Sequence, residues 1–325
     1  MRLCRRQILH LAAGAAALPA VPRIARAQAY PARPVRIVVG FAAGGGADIA
    51  ARLICQWLSD RLDQSFVVEN RPGAGSNIGT ETVLNAPPDG YTLLLATLSN
   101  AVNATLYEKL SFRFTRDITP IAGIIRVPHV ILANPSLPAK TVLEFIDYAK
   151  VHPGKINMAS GGNGSSGHMA GELLSVMAGV KMAHIPYRGQ GPAFSDLLGG
   201  QVQVLFATTP GTTDYIRTGK LRALAVTSMS RAEVRPELPT VGDFVPGYEA
   251  SQWYGVGAPK NIPVEIVEKL NKEINAALAD PRMKARFADL GGTVLPGSPT
   301  DFGKLIGEET EKWAKVVKLA GLKAD

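Results

Sequence analysis

Glycines, hydroxyls and amides recur three times in one arrangement: an apolar run, a glycine-rich loop, then a segment of helical period. The first is Val38-Val39-Gly40-Phe41-Ala42-Ala43-Gly44-Gly45-Gly46-Ala47-Asp48. The second is Val68-Glu69-Asn70-Arg71-Pro72-Gly73-Ala74-Gly75-Ser76-Asn77-Ile78-Gly79. The third is Met158-Ala159-Ser160-Gly161-Gly162-Asn163-Gly164-Ser165-Ser166-Gly167-His168. Glycine admits positive φ and lets a ligand come close to the main chain. The helix that follows presents unpaired N–H groups and a positive dipole end, which together favour an anion. Each loop alone is also ordinary turn chemistry between strand and helix. Three together, rich in N–H donors and poor in Lys and Arg, point to a cleft that grips an acid.

Single residues within these loops carry narrower expectations. Asp48 opens a helix and reads as its N-cap rather than a ligand contact. Of Ser165 and Ser166, one should cap the third helix and the other remain free to donate to a ligand. The spacing His168-x-x-x-Glu172 puts both on one helix face, but no third metal ligand is evident, so no metal site is expected. Asp196 falls mid-helix, where a solvated, capping or binding role is open.

Enzyme motifs test the competing class. Gly162-x-Gly164-x-x-Gly167 fits the dinucleotide fingerprint after a strand and before a helix. The acid expected ~20 residues on is missing, and the next strand ends in Pro186-Tyr187-Arg188. An arginine there suits an NADP 2′-phosphate, so an exported oxidoreductase using this loop for NADP is the alternative. Too little of that lobe follows the loop for a full dinucleotide domain. There is no Gly-Lys-Ser/Thr phosphate loop and no Gly-x-Ser-x-Gly elbow. The favoured reading is not an enzyme and needs no cofactor.

The elements that must position these loops alternate between strand and helix. Residues 35–41, 66–69, 90–95, 121–134, 156–159, 182–187, 202–207 and 221–227 read as strands. Residues 48–62, 141–151, 168–178, 191–198, 211–218, 263–279 and 299–320 read as helices. In 48–62, Ile49, Leu53, Trp57 and Leu58 are expected on one face. The alternation predicts an α/β fold with largely parallel sheets. The run 121–134 is long for one strand and carries Pro128 in its middle, which a central strand tolerates poorly. A second extended stretch, 250–258, follows a proline-rich segment. If both cross between lobes, lobe 1 comprises 28–127 plus 252–325 and lobe 2 comprises 128–251. Two crossings make a hinge around a ligand cleft.

Bulk properties agree with an exported protein. Residues 1–27 combine Arg2, Arg5 and Arg6, an apolar stretch rich in small residues, and Ala25-Arg26-Ala27 as a cleavage site. Cys4-Arg5-Arg6-Gln7-Ile8-Leu9 reads as a twin-arginine signal, with the general secretory route as the other option. The whole chain has a formal charge of +8. Five of its 35 basic residues and none of its 27 acids lie in 1–27, so the remainder stands at about +3. No run of Lys or Arg is left to suit nucleic acid. Cys55 is then the lone cysteine and reads as core packing. The roughly 298 remaining residues suit two lobes better than one core.

The loops also carry a resemblance. Phe41-x-x-Gly44-Gly45-x-x-Asp48, Asn70-Arg71-Pro72-Gly73-Ala74-Gly75-Ser76-Asn77-Ile78-Gly79 and Pro88-Asp89-Gly90-Tyr91-Thr92-Leu93 occur in order. His184-Ile185-Pro186-Tyr187-Arg188-Gly189 and Asp196-Leu197-Leu198-Gly199-Gly200-Gln201-Val202 follow. From about residue 30 to the end, the chain resembles the extracytoplasmic solute receptors of the tripartite tricarboxylate transporter family, also called Bug receptors. Gly40 and Ala42 stand where that family usually has prolines, and Ser76 where glycine is commoner. The resemblance implies a two-lobed, type II-like periplasmic-binding-protein fold that closes on a carboxylate and serves an integral-membrane permease. It implies a periplasmic location and a monomer. Carried over, ligand contacts fall on Phe41, Gly45, Asn77, Ser165, Ser166 and Gly167, with Tyr187 and Asp196 beside them.

Overall fold

A computed structural model describes residues 30–209, 212–231 and 235–324. The expected export signal, residues 1–27, lies outside the described residues. The chain folds as two α/β halves joined along one curled sheet.

The first half begins with β1 (Val35–Val39), whose residues are almost wholly buried. It lies between β2 (Phe66–Asn70) and β3 (Thr92–Thr97), parallel to both. Helix α1 (Gly46–Leu62) follows the first loop. Its deepest stripe is Ala47, Ala50, Ala51, Ile54, Cys55 and Leu58, spaced by three and four. Ile49, Leu53 and Trp57, expected on the inner face, only flank that stripe. Small alanines let the helix axis come closer to the sheet than the large residues would. Burial pushes the Cys55 thiol up to about 12, so it is packing material. Helices α2 (Asn77–Leu84), α3 (Leu98–Leu106) and α4 (Phe114–Asp117) lead into β4 (Ile118–Ala133).

The second half holds α5 (Val142–Val151), β5 (Asn157–Ser160), α6 (Ser166–Ala178), β6 (Ala183–Pro186) and α7 (Gln190–Leu198). After these come β7 (Val204–Thr208), α8 (Thr213–Arg217) and β8 (Arg222–Val226). Strand β5 is parallel to β6 and β7. The chain then returns through β9 (Ser251–Pro259) to α9 (Val264–Ala279), α10 (Pro281–Asp289), β10 (Thr293–Val294) and α11 (Pro299–Leu319).

Parallel pairing is confined to the outer strands of each half, and the middle of the sheet is antiparallel. Strand β4 pairs antiparallel with β9 from Ile118↔Pro259 to Pro128↔Ser251. From His129 onward it pairs with β7, and from Val130 with β8. Pro128 therefore sits where the strand changes neighbours, the place where a missing N–H does least harm. Thr227 ties the change together: its Oγ1 accepts the His129 N–H (2.7 Å) and donates to the Ala250 carbonyl (2.5 Å).

Helix α11 covers this junction. Ser298 and Asp301 form a capping box at its start, with Pro299 in the first turn. Phe302, Ile306, Trp313, Val316 and Val317 are buried, and Phe302 meets Trp253 of β9 edge-on at 5.7 Å. We expect Phe302→Ala to destabilise the fold by about 3–5 kcal/mol through the cavity it leaves. Urea denaturation followed by circular dichroism would read this as a lower midpoint with an unchanged slope.

Candidate functional site

The first loop runs from Gly40 to Gly45, between β1 and α1. Gly45, not Asp48, is the N-cap of α1, and no side chain caps that end. Asp48 sits one turn in, and its carboxylate reaches back to the loop. It accepts the Gly44 N–H (3.0 Å), Arg52 Nε (2.9 Å) and Asn70 Nδ2 (3.0 Å). Asn70 Nδ2 also donates to the Phe41 carbonyl (3.0 Å), which ties β2 to the loop. Burial raises the Asp48 pKa, but the hydrogen bonds from Arg52, Gly44 and Asn70 outweigh it and hold the group below the usual range. Asp48 thus fixes the loop from behind while the α1 N–H groups stay open. Phe41 is half-buried against the first-half core, and Gly45 is exposed.

In the second loop, Gly73, Ala74, Gly75 and Ser76 all have positive φ before α2 begins at Asn77. Asn103 of α3 holds this turn: its Nδ2 donates to the Gly75 carbonyl (2.7 Å) and to Asn77 Oδ1 (2.8 Å). The loop faces the other half of the molecule. A Cβ on Gly75 would lie 3.2 Å from the Asn163 carbonyl, and one on Gly164 would lie 2.8 Å from Asn103 Oδ1. The second and third loops therefore meet across the two halves.

In the third loop, Ser165 is the N-cap of α6 and accepts the His168 N–H (3.4 Å). Ser166 is not free. Its Oγ lies 2.9 Å from Nε2 of the buried His129, whose Nδ1 faces the Ala250 carbonyl at 3.3 Å. A carbonyl can only accept, so Nδ1 carries the proton and Ser166 donates inward to Nε2. Its hydroxyl proton is spent on the scaffold, and its N–H remains. Gly167 is there for close packing, because a Cβ would overlap the Phe206 carbonyl of β7.

Two more histidines brace the same loop. His168 Nδ1 accepts the Gly164 N–H (3.1 Å), which leaves Nε2 to face Glu172 at 3.6 Å. His168 stacks on His184 with ring centroids 3.7 Å apart, and His184 Nε2 lies 2.6 Å from Ser160 Oγ. That hydroxyl accepts the Gly162 N–H (3.1 Å). Burial pushes His129 down to about 4. Burial, then the neighbouring His168, push His184 down to about 3.

Tyr187 follows β6 and donates its hydroxyl to Asp196 of α7 at 2.6 Å. Burial and then Asp196 raise its pKa to about 12, so it remains a phenol. The Tyr187 carbonyl would lie 3.1 Å from a Cβ on Gly162, which sets this pair beside the third loop. Gly189 precedes α7, which has no side-chain cap. The start of α1 reaches the second half here too: a Cβ on Gly46 would lie 3.8 Å from Thr208 Oγ1 of β7, and 2.9 Å from the Tyr254 hydroxyl of its own half. Thr208 donates to Gln190 Oε1 at 3.3 Å. Arg71 and Arg188, the cations closest to the loops in sequence, are exposed, and Arg71 pairs with Glu69.

His129, His184, Asn103, Thr208 and Tyr254 were not singled out from sequence. Only His184 had a signal, its place before Pro186-Tyr187-Arg188. The other four join these loops through contacts between residues far apart in the chain.

Two α/β halves joined by two crossing strands, with glycine-rich helix starts meeting between them, define a two-lobed solute-binding protein. The profile of the tripartite tricarboxylate transporter family receptor matches residues 50–322. The chain belongs to that family. It is 37% identical over 300 residues to the protein BugT of Bordetella pertussis, covering 91% of this chain and 92% of that one. Among solved structures, it is similar to R. palustris Rpa4515 with adipate, at 36% identity and a TM-score of 0.86. That match covers 90% of this chain and 99% of the other. MatC from Rhodopseudomonas palustris with bound malate is 33% identical with a TM-score of 0.82, covering 89% and 100%. The NADP reading of the third loop finds no support among these relatives.

His129 and His184 make stability depend on pH. Below about 6.5 the unfolded chain protonates His129 and His184, whereas the folded chain keeps them neutral until about 4 and about 3. Stability is therefore complete above 6.5 and lost as pH falls, by up to about 1.4 kcal/mol per unit for each histidine. We expect the melting temperature to drop steadily between pH 7 and 4.5, and His129→Gln to flatten that slope. Calorimetric scans at four pH values would check it.

Proposed function

We infer that this receptor captures a small organic acid, a di- or tricarboxylate or a related carboxylate, in the periplasm and delivers it to integral-membrane permease subunits. One observation carries the reading: glycine-rich helix starts from both halves meet in one place, while Asp48, Ser166 and Tyr187 direct their side chains into the scaffold. An anion at such a place gains hydrogen bonds and favourable dipole ends without a buried cation. The relatives solved with adipate and malate support a carboxylate. No described helix is long and apolar enough to cross a membrane. The family's role as a receptor supports binding over catalysis.

In this reading the α1 start at Gly45, beside Phe41, and the α6 start at Ser165, Ser166 and Gly167 hold one carboxylate from the two lobes. Their N–H groups and bridging waters carry the recognition. Asn77 supplies an amide, and the Tyr187–Asp196 pair borders the far side. The lobes, 28–127 plus 252–325 and 128–251, close about β4 and β9, and the protein works as a monomer.

Two experiments test this. Gly45 has an extended backbone (φ −84°, ψ 170°) and open space around its missing Cβ, so Gly45→Asp fits and supplies a helix cap. The variant should keep or raise the melting temperature yet bind organic acids at least tenfold more weakly, because like charges within ~5 Å repel by a few kcal/mol. Unchanged affinity by calorimetry would count against an anion at this helix start. Separately, small-angle scattering should show a smaller radius of gyration once an organic acid found by thermal-shift screening is bound. The same radius, with binding confirmed, would rule out lobe closure.

A further inference from the structure

The amides of Asn77 and Asn103 hold an unfilled donor and acceptor, and this bears on which acid the cleft takes. The Gly75 carbonyl can only accept, so the Asn103 atom 2.7 Å away is its nitrogen. The second N–H of that nitrogen meets Asn77 at 2.8 Å, so the Asn77 atom there is its oxygen. The orientation of both amides is thereby settled. What remains is Asn77 Nδ2 and Asn103 Oδ1, each buried and without a partner. Asn77 is 7% exposed and Asn103 is 0% exposed. Buried amide groups are rarely left unpaired, and such orphans mark a missing water or ligand.

These orphans lie where the lobes meet. Asn103 Oδ1 faces the third loop, 2.8 Å from where a Cβ on Gly164 would be. Asn77 opens α2 directly after the second loop. Each free end is one amide width from the bond that joins the two side chains. A second bare carboxylate suits only half of this pair: Asn77 Nδ2 would donate to it, but Asn103 Oδ1 would meet more lone pairs. A hydroxyl suits both, accepting from Asn77 and donating to Asn103.

We propose that the cleft selects hydroxy acids, with Asn77 Nδ2 donating to the ligand hydroxyl and Asn103 Oδ1 accepting its proton. This rests on the reading of the cleft as a carboxylate site. A site built to pair a ligand hydroxyl rejects the analogue that lacks it, because the protein groups are then stranded.

Calorimetry on the purified protein with three pairs of acids tests it: butanedioate, pentanedioate and hexanedioate, each against its 2-hydroxy derivative. At the chain length that binds best, the hydroxy acid should bind tighter by on the order of tenfold or more. Asn77→Asp keeps the oxygen facing Asn103 and replaces only the free nitrogen. Its added charge weakens both acids alike, so the readout is their ratio, which should fall towards one. Equal or weaker binding of the hydroxy acid by the unaltered protein overturns the proposal and leaves the carboxylate reading standing. So does a ratio that Asn77→Asp does not change, which would mean that the two amides hold only a water. If none of the six acids binds, the carboxylate reading falls and the proposal with it.

Discussion

The ladder between β4 and β9 carries both passages of the chain between the halves of the molecule. Every position in the cleft is measured from it. One side of the ladder belongs to the first half, and beyond Pro128 and Ser251 the same backbone belongs to the second. Its stability at that point does not come from backbone pairing alone. Thr227 ties His129 to Ala250, and Arg126 lies 3.5 Å from both Glu249 and Glu309, with Lys312 on Glu249. Glu309 is also held by the Trp313 indole at 2.7 Å. Burial raises the Glu249 pKa, but Lys312 and Arg126 outweigh it and hold its carboxyl below the usual range. A junction held by directional groups bends at few places, which suits the proposed closure of the lobes.

The recognition loops depend on a second kind of constraint. Glycine-rich turns are entropically expensive to order, and each is braced by a side chain from outside it. Asp48 with Arg52 and Asn70 holds the first, Asn103 the second, and the stacked His168 and His184 the third. The bracing consumes the groups that look most reactive. Asp48, Ser166 and Tyr187 all have their hydrogen bonds directed into the scaffold. In the proposed reading the loops' main-chain N–H groups are left for the ligand, and the braces make their positions precise. Two departures from the family pattern belong to the same logic. A Cβ on Gly40 would overlap the Ser76 side chain, so Gly40 in place of proline and Ser76 in place of glycine are one exchange of volume.

Much of this was legible from periodicity and composition. The alternation of apolar runs with helical segments, the three loops and the passage at Pro128 are local properties, readable because strand and helix burial leave periods of two and 3.6. Helix α10 was missed although Asp280 followed by Pro281 is a clear start, since the segment is short and polar and buries little beyond Phe287. Helix α3 was missed because most of its residues, polar ones included, are buried, so no polar face marks the helical period. The stripe on α1 was placed one residue round, because large side chains draw the eye while alanines do the packing.

By itself the sequence determined the α/β class, most of the order of elements, the family and the three glycine-rich loops. Those follow from local geometry: glycine where φ is positive, a helix start after each strand, apolar residues at regular spacing. Only the tertiary structure decided what each polar side chain does. Asp48 turned from cap to brace, Ser166 from donor to scaffold, and Asn103, unremarkable in the chain, became the residue between two lobes. A hydrogen bond joins atoms that meet in space across 26 to 121 residues of chain, as for Asn103 with Asn77 and His129 with Ala250. No pattern along the chain records which of them will meet.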